Sequence, residues 1–75
     1  MKLELVCVDD WFRAVFRDGL GRYYKSIALA PDGPVGKWTA EEKHDLIATL
    51  HDTDDIYGEP GYPVTERNIR INWPE

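Results

Sequence analysis

Cysteine is nearly absent. Cys7 stands alone among 75 residues, so no internal disulfide braces the fold, and a reducing compartment suits the chain. No run approaches the roughly 18 apolar residues that a membrane span needs. Met1-Lys2 leads into a short alternating segment rather than the apolar stretch of a secretory signal. The expectation is a soluble, cytoplasmic protein that makes no membrane contact. Bases are also scarce: nine Lys and Arg oppose 14 Asp and Glu, for a net charge of -5. That balance argues against direct nucleic-acid binding, which requires clustered Lys and Arg. A chain of this length holds one small α+β domain at most and leaves no room for a two-domain enzyme.

Aromatic residues are plentiful. Trp11, Phe12, Phe16, Tyr23, Tyr24, Trp38, Tyr57, Tyr62 and Trp73 can each bury on the order of 150–250 Å², which marks a folded chain rather than a disordered one. Charge is unevenly placed. Residues 1–37 carry six bases and five acids, whereas residues 38–75 carry three bases and nine acids. Seven of those nine lie between Glu41 and Glu59, opposed only by Lys43. The negative charge is local.

Alternation predicts a strand over Leu3–Val8, with Leu3, Leu5 and Cys7 on one face. Asp9-Asp10 favour a bend. Phe12, Ala14 and Phe16 alternate with Arg13, Val15 and Arg17, the pattern of a half-buried strand with a basic outer face. Asp18-Gly19-Leu20-Gly21 supplies a tight turn, and Arg22–Leu29 reads as a third strand with Tyr23, Ile27 and Leu29 on one side. Pro31–Gly36 is a loop by composition. Thr39 with Glu42 three residues later forms a capping box, opening a helix from Ala40 to about His51. Its helical stripe is Lys43, Leu46, Ile47 and Leu50, and Glu41, Asp45 and Asp52 oppose it. Thr53–Pro63 is a loop, and a closing strand runs from about Asn68 to Trp73. The expected architecture is α+β: a three-stranded antiparallel meander, one helix and a C-terminal strand, β-β-β-α-β.

Catalytic and metal motifs are thin. Ser26 is the sole serine and lies in no nucleophile elbow, and Cys7 sits in an apolar strand where a thiol is inert packing. No catalytic residue is assigned and no enzyme activity is expected. His44 and His51 are seven apart on one helix side, but no second Cys or third His completes a zinc set. Asp52-Thr53-Asp54-Asp55 fails the EF-hand spacing, since Ile56 and Tyr57 occupy the fifth and sixth positions. No metal and no cofactor are expected. Arg13, Arg17 and Arg22 interleave with aromatics, yet Asp9, Asp10 and Asp18 stand beside them in sequence.

The acidic band admits two readings. One is a solvated helix face that aids solubility. The other is a docking surface for a basic, nucleic-acid-handling protein, because carboxylates present paired anionic oxygens to Arg and Lys as phosphates do. On the second reading the partner-binding residues are Glu41, Asp45, Asp52, Asp54 and Asp55, with Tyr57 as an aromatic anchor. A structural alternative is a homodimer formed by pairing of exposed strand edges.

Val8-Asp9-Asp10-Trp11-Phe12-Arg13-Ala14-Val15-Phe16, followed by Gly21-Arg22-Tyr23-Tyr24-Lys25, resembles a small domain of phages and conjugative elements. That family is the large polyvalent protein-associated domains, found fused in very long mobile-element proteins and as short stand-alone chains. Gly58-Glu59-Pro60-Gly61-Tyr62-Pro63 is similar to the family's later Gly-Glu-Pro turn. The likeness departs at Ala14, where the family has proline, and across Thr39–His51. It implies a mobile-element origin and carries over no catalytic residue. Short acidic proteins of such elements include inhibitors of host defence, so the resemblance points toward an anti-CRISPR-type inhibitor whose partner is a CRISPR effector or another host defence protein.

Overall fold

Two aspartates start the fold. The computed structural model describes residues 1–74, and its first three strands are β1 (Lys2–Val8), β2 (Arg13–Asp18) and β3 (Tyr23–Leu29). They form an antiparallel meander. In the first turn, Asp9 Oδ1 accepts the backbone N–H groups of Trp11 and Arg13, both at 2.9 Å. In the second, Asp18 Oδ1 accepts those of Leu20 and Arg22, again at 2.9 Å. A short acceptor side chain that binds its own backbone folds each turn locally. Gly21 takes a φ of 84° in the second turn, at little steric cost. The first turn places an aromatic, Phe12, at a φ of 62°.

The helix α1 (Ala40–Ala48) follows a short 3-10 turn at Val35–Lys37. Its capping box forms as read from the sequence: the Glu42 amide donates to Thr39 Oγ1 at 3.1 Å, and the Thr39 amide donates to Glu42 Oε1 at 2.9 Å. The helix ends three residues before the expected His51. Thr49 Oγ1 donates to the Asp45 carbonyl at 2.9 Å and accepts the Ala28 amide at 3.0 Å. The chain then leaves as β4 (Leu50–Thr53), antiparallel to β3 with Leu50 opposite Ser26. The unfilled ladder of β3 outweighs a helical periodicity that Leu50 satisfies in either conformation.

The expected Thr53–Pro63 loop begins one residue later, since Thr53 ends β4, and residues 61–64 turn back along β4. Gly61 N–H donates to the Asp52 carbonyl at 2.7 Å, Asp52 N–H to the Tyr62 carbonyl at 2.9 Å, and Val64 N–H to the Leu50 carbonyl at 2.9 Å. The last strand, β5 (Arg70–Asn72), lies parallel to β1. The sheet order is β4-β3-β2-β1-β5. The β-β-β-α-β plan therefore holds, with one additional short strand after the helix.

The core occupies one face. Leu3, Ala14, Phe16, Tyr24 and Leu50 meet Leu46 of the helix and Trp38. Trp73 closes the end, its ring edge-on to Phe16 at 5.8 Å and to Trp38 at 6.0 Å. Ser26 is fully buried and donates to the Leu46 carbonyl at 2.6 Å, fastening α1 to β3. Two expectations change here. Tyr23, Ile27 and Leu29 do alternate together, but the β3 residues that face the core are Tyr24, Ser26 and Ala28. A bulge at Val6 sets Leu5 opposite Phe16 and Cys7 opposite Val15, so Cys7 leaves the face of Leu3 and Leu5. One extra residue reverses the side on which every later residue lies.

Candidate functional site

The face opposite the helix is not a simple solvated basic surface. Val15 and Lys25 are buried there. Lys25 Nζ lies 2.8 Å from Asp9 Oδ2, with side-chain exposures of 3% and 6%. Burial alone pushes the Asp9 carboxyl up. The Lys25 hydrogen bond, the Arg13 and Trp11 amides and the Lys25 charge together outweigh burial, and they hold it below the ordinary carboxylate range. Cys7 shares this environment. Burial, then the Asp9 charge, pushes its thiol up, with Lys25 opposing, so the nucleophilic thiolate is disfavoured.

Residues 54–60 form a ridge with a groove on either side. On one side, an open groove of about 460 Å³ is lined by Trp11, Arg13, Ile27, Tyr57, Glu59 and Pro60, together with the Asp9–Lys25 pair. Trp11 is 74% exposed, Phe12 62% and Tyr57 87%. On the other side, an open groove of about 650 Å³ is lined by Tyr23, Tyr24, Tyr62, Asp52, Asp54 and Glu59. Two glycines let the ridge pack closely. A Cβ at Gly58 would stand 2.6 Å from Thr53 Oγ1, and one at Gly61 would collide with Asp52 Oδ1.

The residues singled out from the sequence are all solvent-exposed but do not form one surface. Glu41 and Asp45 lie on α1, over the core face. Asp52 and Asp54 come together with Glu59 at the larger groove. Tyr57 stands at the smaller groove, on the opposite face of the sheet from the helix. Asp52 and Asp55 also hold the loop, because their Oδ1 atoms accept the Tyr62 and Tyr57 amides, each at 2.8 Å.

Ion pairing divides along the same boundary as the charge. The three salt bridges among the described residues are Arg17–Glu4 at 2.7 Å, Arg22–Asp18 at 3.1 Å and Lys25–Asp9 at 2.8 Å. All use acids from the first half of the chain. None of the seven acids from Glu41 to Glu59 has a cation partner among the described residues. Lys43, the one base in that stretch, lies over the Trp73 ring at 5.4 Å.

Ending the helix at Ala48 separates the histidines. His44 is exposed on α1, and His51 lies on β4 with Nδ1 2.8 Å from the Thr49 carbonyl. Among the described residues no three His, Cys, Asp or Glu side chains gather into a metal-binding group. Among the described residues no helix is long and apolar enough to cross a membrane. Sequence reasoning missed Asp9, Lys25 and Trp11 as a unit. The repeated spacing of Asp9 to Arg13 and Asp18 to Arg22 was the available signal for the turns, and nothing local marked Lys25 as buried. No protein family, curated protein or solved structure matches this chain.

Proposed function

We propose that this chain is a non-enzymatic inhibitor from a phage or other mobile element, and that it binds a basic, nucleic-acid-handling host defence protein of the CRISPR-effector kind. The contact is made by the acids of α1 and of the loop after β4. One observation carries the reading: Glu4, Asp9 and Asp18 of the first half are held in internal ion pairs, while none of the acids from Glu41 to Glu59 has a cation partner among the described residues. Glu41, Asp45, Asp54 and Glu59, whose side chains make no hydrogen bond among the described residues, can steer a basic partner and pair with its Arg and Lys without first breaking an internal bond. Glu41 and Asp45, four residues apart on the exposed side of α1, present one pair. Asp54 and Glu59 at the larger groove present another, next to three tyrosines that suit a guanidinium. Asp52 and Asp55 contribute charge while their side chains keep the loop folded. Tyr57 stands over the other face and is not assigned to this contact.

The test is capture from host lysate with the wild type and with the double variant Asp45→Lys/Asp54→Lys, which spares the loop-holding aspartates. Nucleic-acid-handling proteins are expected with the wild type and to be lost with the variant, while both keep the same thermal midpoint. Equal capture by the two proteins rejects the acidic contact.

A further inference from the structure

We propose that two copies of this chain associate through the sheet face opposite the helix, each setting its Trp11 and Tyr57 against the smaller groove of the other. This surface meets the acidic one only at Glu59, which lines both grooves, and Trp11 and Tyr57 belong to it alone.

The first argument is area. Trp11 and Tyr57, which line this groove and are 74% and 87% exposed, together offer on the order of 250–400 Å² of aromatic surface. Ile27 and Leu29 are exposed on the same face. They extend the patch toward the roughly 800 Å² that each partner contributes to a stable interface. The largest apolar patch on a monomeric protein is often functional.

The second argument is charge. Arg13 and Glu59 line the same groove, and neither belongs to a salt bridge among the described residues. Arg13 Nε is buried without a hydrogen-bond partner. A basic partner would answer Glu59 alone, and an acidic one Arg13 alone. A second copy related by a two-fold axis answers both, since each Glu59 meets the other copy's Arg13.

The third argument concerns the alternative route. Pairing of strand edges has little to use: residues 61–64 already cover the β4 edge, and β5 is three residues long and followed closely by Pro74. The face, by contrast, is preorganised. Asp9 clamps the turn that carries Trp11, and Phe12 is held in a left-handed conformation that no other non-glycine residue adopts among the described residues.

Sedimentation equilibrium decides the matter. The wild type is expected to show a reversible, concentration-dependent dimer. Trp11→Ala, which removes an exposed side chain, and Glu59→Arg are each expected to raise the dissociation constant by at least about tenfold. Arg13→Glu combined with Glu59→Arg is expected to recover most of the loss, with near-ultraviolet circular dichroism confirming that each variant is folded. A wild type that stays monomeric up to about 1 mM overturns the proposal. So does a dimer indifferent to both Trp11 and Glu59.

Discussion

Lys25 stands 2.8 Å from Asp9, both side chains nearly buried at the floor of the smaller groove, and the two partners are not equivalent. Asp9 also accepts two backbone amides, whereas the Lys25 ammonium has no other hydrogen-bond acceptor among the described residues. Removing Asp9 therefore strands a buried cation and opens the first turn. Asp9→Ala is expected to destabilise the fold by about 3–5 kcal/mol. Lys25→Met leaves the carboxylate with two donors and should cost roughly 1.5–3 kcal/mol, the value of one charged hydrogen bond. Urea unfolding of the two variants ranks them, and the reverse order would contradict this assignment.

Acid should loosen the fold through the same turns. The Asp9 carboxyl is held low as described above. Asp18 is also lowered, first by the Arg22 amide and, against some burial, by the Leu20 amide, the Tyr24 hydroxyl and the Arg22 guanidinium. A carboxyl lowered on folding contributes stability that is fully present above its unfolded pKa of 3.8. That stability is lost as pH falls through the folded value. The thermal midpoint is expected to fall steeply below about pH 4, and Asp9→Asn should flatten part of that fall. An acid limb unchanged by the substitution would refute the linkage.

At the start of α1, Thr39→Ala removes the acceptor for the Glu42 amide and should cost about 1 kcal/mol. Glu42→Ala removes the reciprocal bond to the Thr39 amide and is expected to cost less, because the helix keeps its N-cap acceptor, Thr39 Oγ1. Chemical denaturation measures both.

Phe12 occupies a left-handed conformation that costs an L-residue about 1–2 kcal/mol, while its exposed ring returns little burial. Phe12→Gly is expected to stabilise the monomer by up to about 1 kcal/mol after the entropy cost of glycine. A monomer destabilised by the substitution would show that the ring is needed for folding.

The sequence displayed most of the meander and the helix start, because alternation, the Asp-Gly turn and the capping box are local signals. It misplaced what distant pairing decides. Leu50 fits a helical stripe and a strand equally well, and only the free edge of β3 selects the strand. The bulge at Val6 leaves no mark on an apolar run, so Cys7 reads as facing the core. At the candidate site, the acidic band was plain from charge counting. Its division between the helix layer and the opposite face depends on where the chain turns after Thr53, and the burial of Lys25 depends on a carboxylate sixteen residues away.

The central claim is that Glu41, Asp45, Asp54 and Glu59 are free for a basic partner while Glu4, Asp9 and Asp18 are committed to ion pairs within the fold. Backbone amide shifts recorded while an arginine-rich peptide is titrated in at low salt test it most directly. The account predicts perturbations centred on Glu41, Asp45, Asp54 and Glu59, which fade as salt shortens electrostatic reach below about 10 Å. Shifts centred on Asp9 and Asp18, or none at all, would contradict it.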